Sequence, residues 1–186
     1  IVMPDLEVHT PMRALHLCEL AAHEPAFDIV LMAVKSYDTR WLAQLIEPYL
    51  KPEGWFVGVQ NSMNDDTIAS IVGRERVVGC ALELSAEIFT PGIVQRNTAR
   101  TSTWFGLGEL DGKLTKRIYA LEEIFRQIGK VTVTSNIQGT KWTKLIANTM
   151  TMGPFGLLGL KNWQAGGLPG MFGISVRLGG EPVAVR

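Results

Sequence analysis

The residues of this chain whose types and spacing could do chemistry are a lysine and an asparagine one helical turn apart, Lys144 and Asn148. An ammonium group can stabilise a developing negative charge and donate a proton, and a carboxamide can orient a polar substrate. Residues 135–152 predict a helix, with Ser135 as its N-cap and Gly153-Pro154 as its end or kink. Both side chains fall on the polar face of that helix, so an ordinary amphipathic helix with a solvated side is the alternative interpretation.

Two more polar residues follow apolar runs that predict buried parallel strands. Lys35 comes after residues 27–34, and Asn61 comes after residues 55–59. A helix is predicted after each run, and strands that alternate with helices are typical of a parallel, doubly wound sheet. Ligands of such sheets bind beyond the carboxyl ends of the strands. The lysine could meet a phosphate or a ribose and the asparagine a ribose or a nicotinamide, although a surface lysine and a turn residue would give the same pattern.

The rest of the chain completes a two-domain prediction. Short strands at residues 76–82, 93–96 and 102–107 predict antiparallel hairpins, and a helix over residues 111–128 leads to an edge strand at residues 130–134. The fold class is therefore α/β, with a partial Rossmann-type doubly wound sheet followed by the start of an all-α C-terminal domain. We place the dinucleotide-binding (Rossmann-like) domain at residues 1–134 and the truncated helical domain at residues 135–186.

Composition excludes several classes of function. Lys+Arg and Asp+Glu both number 18, so there is no basic excess of the kind that nucleic-acid binding needs. No apolar run reaches the length of a membrane span, so no membrane contact is expected. Two cysteines in apolar surroundings, Cys18 and Cys80, indicate buried thiols in a reducing, cytoplasmic setting. We expect no metal site, because the three histidines lack a matching cluster of ligands: His9, His16 and His23.

Four segments in this order resemble the ketopantoate reductase (2-dehydropantoate 2-reductase) family: DIVLMAVKSYDT, GWFVGVQNSMND, ERVVGCALELSAEIFTPGIVQRN and GTKWTKLIAN. Their order and spacing match the family over nearly the whole chain. The resemblance implies an N-terminal Rossmann domain that binds NADPH and a C-terminal helical domain. It also implies reduction of a 2-keto acid to a 2-hydroxy acid, as in the pathway to pantothenate, and it leaves a homodimer open.

The resemblance also implies roles for single residues. Lys144 corresponds to the catalytic lysine, which also binds the substrate, and Asn148 to a substrate-binding asparagine. Asn162 corresponds more loosely to a later substrate-binding position. The implied contacts to the cofactor are Lys35, Asn61 and Ser85.

The chain departs from the family pattern at two positions. Met152 stands where a second asparagine is usual, which makes that wall more apolar, and Ser62 stands where glycine is usual. The Gly-rich phosphate fingerprint does not occur in the sequence, so we expect a fragment lacking both termini, with little activity and weak NADPH binding of its own. Two alternatives stay open: another Rossmann hydroxy-acid dehydrogenase, and a non-catalytic nucleotide-binding relative.

Overall fold

A computed structural model describes residues 1–3, 6–22, 24 and 26–185, without the side chain of residue 162. The chain divides after Gln138 into a first unit, residues 1–138, and a second unit, residues 139–186. The two units are described separately below. His23, one of the three histidines considered above, lies outside the described residues.

The first unit is built on a five-stranded sheet with helices between the strands. Its elements are α1 (Leu17–Leu20), β1 (Phe27–Met32), α2 (Thr39–Ile46), β2 (Leu50–Gly58), α3 (Asp65–Val72), β3 (Val77–Glu83), β4 (Ala86–Thr90), β5 (Ile93–Arg96), β6 (Trp104–Glu109), α4 (Lys116–Arg126) and β7 (Lys130–Val133). The sheet order is β1-β2-β3-β6-β7, and β4 and β5 form a separate antiparallel hairpin. The pairs β1–β2, β2–β3 and β6–β7 are parallel, whereas β3–β6 is antiparallel. The prediction of a Rossmann-type α/β sheet is confirmed.

Helices cover both faces of the sheet. Successive residues of each strand point to opposite faces, so each strand contributes side chains to both layers of core. On one face Val57 and Val78 pack in a cluster with residues of α4 such as Ile118. On the other face their neighbours Phe56 and Val77 pack in a cluster with residues of α2 and α3. The apolar runs of the sequence therefore fill two layers of core around one sheet, which holds the strand ends in fixed positions.

The second unit consists of three helices. α5 (Ile137–Leu157) begins in the first unit and is followed by α6 (Asn162–Gly166) and α7 (Met171–Ala184). Phe155, Ala165 and Met171 form a small buried cluster. A Cβ on Gly179 of α7 would lie 2.6 Å from Met150 Cγ of α5, so glycine allows these helices to approach closely.

Three predicted helix bounds are wrong. α5 does not end at Gly153-Pro154 but continues through Pro154 to Leu157. A proline inside a helix removes one hydrogen bond and crowds the carbonyl four residues earlier, at a cost of about 3 kcal/mol, whereas burial of Phe155 directly after it favours continuation. α4 begins at Lys116, because residues 109–112 form a turn, with Gly112 at φ +79°, and Thr115 is the N-cap. α5 begins at Ile137, two residues after Ser135, so Ser135 is not its N-cap.

One prediction about burial is also wrong. Cys18 is exposed on α1, whereas Cys80 is buried in β3 as expected. The apolar neighbours of Cys18 in the sequence do not form a strand or a long helix, so no layer of core covers it. By contrast β7, the predicted edge strand, does lie at the end of the sheet.

Candidate functional site

Lys35 and Asn61 lie at the same edge of the sheet and at the same level. Met32, the last residue of β1, pairs with Gly58, the last residue of β2. Lys35 and Asn61 each follow three residues later, and both are exposed. Because the two strands are parallel, these side chains emerge at the carboxyl edge, where ligands of such sheets bind.

Ser85 is not brought to the same level. It follows β3, and Gly79 of β3 is the residue that pairs with Gly58. Ser85 is therefore six residues beyond that pair, whereas Asn61 is three residues beyond it. Its backbone is also engaged, because the Ser85 N–H donates to Thr98 Oγ1 over 2.8 Å and its carbonyl accepts from Asn97 N–H over 2.8 Å. The hydroxyl group is the part of Ser85 that a ligand could use.

Two residues that the sequence analysis did not select tie the loops of Lys35 and Asn61 together. Gln60 Nε2 donates to the Val34 carbonyl over 2.7 Å and to Thr39 Oγ1 over 2.8 Å. Asn64 Nδ2 donates to Ser36 Oγ and to the Asn61 carbonyl, both over 2.9 Å. The signal that could have found Gln60 is its place directly beside Asn61, after an apolar strand.

The start of α3 is occupied by the chain's own carboxylates. Asp65 is buried at the first position of α3, and Asp66 follows it. A Cβ on Gly79 would lie 3.3 Å from Asp65 Oδ2, so the small residues of the strands leave room for this carboxylate. The negative charge of these two carboxylates disfavours binding of a phosphate at the N-terminus of α3. The exposed ammonium of Lys35 can donate to a phosphate or a ribose, and the amide of Asn61 can bond to a ribose or a nicotinamide.

In the second unit, Lys144, Asn148 and Met152 follow one another at successive turns of α5. Lys144 and Asn148 are half-buried, and Met152 is 63% exposed. Residues four apart on a helix are neighbours on its surface. Lys144 and Asn148 are therefore close enough to contact one small molecule. Lys141, three residues before Lys144 on α5, is buried, with 3% of its surface exposed.

Asn148 and Met152 also line an open cavity of about 560 Å³ within the second unit. Its walls come from α5 and α7: Asn148, Thr149, Met152, Gly153, Pro154, Leu157, Ile174 and Leu178. Thr149 Oγ1 donates to the carbonyl of Ile146 in its own helix over 2.7 Å, so its hydroxyl proton is already used. Asn148 is therefore the main polar group that this cavity offers to a ligand. Asn162 begins α6, but its side chain lies outside the described structure.

A second cavity, of about 340 Å³, lies in the first unit, at the amino edge of its sheet, opposite the edge where Lys35 and Asn61 lie. Its lining residues form ion pairs with one another. Glu109 is 4% exposed and accepts from Arg117 Nε over 2.7 Å and from Thr115 Oγ1. At its exposed rim, the hydrogen bond from Lys113 lowers the pKa of the Asp111 carboxyl, and the same contact raises the pKa of Lys113. These polar groups are paired with one another, which indicates a structural cluster.

The described residues contain neither a cluster of metal ligands nor a membrane-spanning helix. No group of three or more His, Cys, Asp or Glu side chains is arranged to hold a metal ion in residues 1–3, 6–22, 24 and 26–185. In those same ranges, every helix is too short or too polar to cross a membrane.

The sheet order, the helices on both faces and the polar carboxyl edge define a protein of the Rossmann-like α/β class. A family model described as ketopantoate reductase PanE/ApbA matches residues 4–109, which is more than half of the chain. The chain therefore belongs to the ketopantoate reductase family, and the resemblance found in the sequence is confirmed.

Known proteins agree with this assignment. The uncharacterized oxidoreductase YkpB of Bacillus subtilis (strain 168) is 25% identical over 122 residues. A 2-dehydropantoate 2-reductase structure from Geobacter metallireducens GS-15 is 28% identical, with a TM-score of 0.65 over 71% of this chain. A PanE/ApbA family ketopantoate reductase from Ralstonia eutropha JMP134 is 25% identical, with a TM-score of 0.71 over 85% of this chain. A D-mandelate dehydrogenase solved with NADH shares the fold at 19% identity and a TM-score of 0.75 over 85% of this chain.

The matches cover only part of each relative. The aligned regions are 64% of this chain but 40% of the Bacillus protein. They are 44% of the Geobacter chain, 51% of the Ralstonia eutropha chain and 52% of the mandelate dehydrogenase chain. The chain thus spans about half the length of the relatives that it matches.

Proposed function

We propose that the protein containing this chain is an NADPH-dependent reductase that converts a 2-keto acid of the ketopantoate type to the 2-hydroxy acid. The observation that carries the proposal is the pair Lys144 and Asn148, half-buried one turn apart on α5 in a member of this family. A carbonyl reduction needs a group that stabilises the oxygen as it becomes negative, and a second group that holds the substrate in place.

The two residues divide these tasks. The Lys144 ammonium donates a hydrogen bond to the ketone oxygen, stabilises the charge that develops there and delivers a proton to it. The Asn148 amide binds a carboxylate or hydroxyl group of the substrate and so fixes the orientation of the ketone. In this proposal Asn162 is a further substrate contact.

A bound dinucleotide would supply the hydride. Lys35, Asn61 and Ser85 are the residues that would hold it, and the same-level placement of Lys35 and Asn61 supports this role. Ser85 would contribute its hydroxyl group, because its backbone groups bond to Asn97 and Thr98. The finer parts of the proposal are NADPH as the preferred cofactor, a step in pantothenate synthesis, a cytoplasmic location and a homodimeric assembly. A dimeric ketopantoate reductase from Staphylococcus aureus has this fold.

The direct test is an assay of the complete protein with a panel of 2-keto acids. NADPH should be oxidised only when a 2-keto acid is present, at a rate well above that seen with NADH. Binding of NADPH with no oxidation by any keto acid would instead favour a non-catalytic relative.

Replacing either candidate cofactor residue should weaken NADPH binding. Lys35→Ala and Asn61→Ala should each raise the Kd for NADPH by about 10-fold, because each loses one hydrogen bond to the ligand. Lys130→Ala removes an exposed lysine at the start of β7 and is the matched control. Quenching of protein fluorescence during titration measures the Kd. A Kd that is the same in all three variants would contradict the assignment of Lys35 and Asn61.

A second candidate is another hydroxy-acid dehydrogenase, whose substrates carry a bulky apolar side chain. The cavity beside Asn148 favours this candidate. Apart from Asn148, its walls are mainly apolar and include Met152 and Leu157. An apolar wall binds methyl and aromatic groups but offers no partner to a substrate hydroxyl, which then loses its hydrogen bonds to water.

The substrate preference should therefore depend on Met152. Met152→Asn should shift the ratio of kcat/KM between ketopantoate and a branched apolar keto acid by about 10-fold toward ketopantoate. The control is Val176→Asn, which changes an apolar residue that is 47% exposed on α7 and does not line the cavity. Equal ratios in the two variants would remove Met152 from the substrate site.

A further inference from the structure

The loops that follow β1 and β2 are joined by two side-chain amides, those of Gln60 and Asn64. Gln60 belongs to the loop after β2 and bonds to Val34 and Thr39, which flank the loop after β1. The Val34 carbonyl can only accept, so the Gln60 atom 2.7 Å from it must be the amide nitrogen. The two donor hydrogens of this amide thus hold both ends of the segment that contains Lys35.

Gln60 makes these two hydrogen bonds, but its buried side chain also lowers the stability of the fold. It is 5% exposed, and within the described part of the chain no donor reaches its buried Oε1. A buried acceptor without a hydrogen bond costs about 1–3 kcal/mol. A methionine of similar volume would fill the same space without that cost, so packing alone does not account for a glutamine here.

Asn64 makes the second connection between the loops. It stands at the N-cap position of α3, where an asparagine normally accepts a bond from the helix, but its side chain makes no capping bond. Its amide nitrogen instead donates to Ser36 Oγ, next to Lys35, and to the carbonyl of Asn61 itself. The Asn64 amide therefore bonds to the two loops and does not cap α3.

The backbone between the two amides adds a further observation. Ser62 lies between Gln60 and Asn64 and has a φ of +69°, the one positive value at a non-glycine residue in the described chain. A left-handed conformation costs a serine about 1–2 kcal/mol. Such a conformation persists when its surroundings hold it. Gln60 and Asn64 lie two residues before and two residues after Ser62, so their hydrogen bonds can hold it in this conformation.

We propose that Gln60 and Asn64 are positioning residues that fix Lys35 and Asn61 relative to each other for binding of the dinucleotide. This inference rests on the proposed cofactor role of Lys35 and Asn61. The two amides act through these residues and do not touch the cofactor. Same-level placement at the ends of β1 and β2 brings Lys35 and Asn61 to one edge, and the amides then hold the loops that carry them.

The test uses one substitution for each amide in the complete protein. Gln60→Met keeps the volume and removes both donors. Asn64→Asp keeps a good N-cap residue and removes the donor to the Asn61 carbonyl. Each should raise the Kd and KM for NADPH by about 10-fold, through loss of preorganisation, while kcat stays within about twofold. Asn64→Asp keeps the inference testable if Gln60→Met fails to fold.

Two further variants distinguish a positioning role from a general loss of stability. One is a control substitution, and the other is a protein that already lacks the two cofactor residues. Thr115→Val removes the N-cap of α4 at the opposite edge of the sheet, and it should lower the melting temperature without changing the Kd for NADPH. In a protein that already carries Lys35→Ala and Asn61→Ala, Gln60→Met should have less than a twofold further effect, since residues that act together are not additive.

The outcomes distinguish the two claims. If the unmodified protein binds NADPH and both amide variants bind it equally well, the positioning role is overturned and the proposed function stands. An undiminished effect of Gln60→Met in the Lys35→Ala, Asn61→Ala background would also overturn the positioning role. If the unmodified protein binds no NADPH, the proposed function fails, and the positioning role fails with it.

Discussion

Lys144→Ala should lower kcat by about 10²–10⁴-fold with a 2-keto acid and NADPH, the range typical of losing a general acid. The physical reason is that the ketone oxygen becomes negative only in the transition state, so loss of the ammonium group affects the barrier more than substrate binding. KM for the keto acid should change much less than kcat. Steady-state kinetics of the purified variant, with circular dichroism to show that α5 is intact, measure the effect.

Lys116→Ala is the matched control, because Lys116 is an exposed helical lysine at the start of α4 in the first unit. It should leave kcat within about twofold of the unmodified protein, as expected for a surface change. Lys144→Arg keeps the charge but not the compact donor geometry, so we expect partial activity between the two alanine variants. If Lys144→Ala were as active as Lys116→Ala, Lys144 would not be the proton donor.

The sheet could be predicted because its sequence signals are local. Short apolar runs separated by helical patterns indicate parallel strands, and two such strands bring the residues that follow them to one edge. Lys35 and Asn61 were placed in this way, and the pairing of Met32 with Gly58 brings them to one level. The edge position of β7 could also be predicted, from the alternation in residues 130–133.

Other features depend on contacts between residues far apart in the sequence, which no local pattern contains. The bond from Gln60 to Val34 spans 26 residues, and the bond from Asn64 to Ser36 spans 28. The continuation of α5 through Pro154 depends on the burial of Phe155, which the sequence around the proline does not reveal. The position of Ser85 relative to the sheet edge depends on how far β3 extends beyond Gly79, the residue that pairs with the end of β2.

Long-range contacts of the same kind make Arg117 a large contributor to the stability of the first unit. Arg117→Met should lower the free energy of unfolding by about 3 kcal/mol, because it leaves the Glu109 carboxylate buried without its cation. Arg117 is 27% exposed on the side chain, donates twice to Glu109, and also donates to the Glu75 carbonyl over 2.6 Å. Its guanidinium carbon lies 5.7 Å from the centre of the Trp55 ring. Urea denaturation followed by Trp fluorescence gives the change.

The pair can be separated from simple packing by a double-mutant cycle. Glu109→Gln combined with Arg117→Met removes both charges, so the double variant should be more stable than Arg117→Met alone. Lys113→Ala breaks the exposed contact with Asp111 in the same cluster and should leave the unfolding midpoint nearly unchanged. If Arg117→Met were no more destabilising than Lys113→Ala, the buried carboxylate would not depend on Arg117.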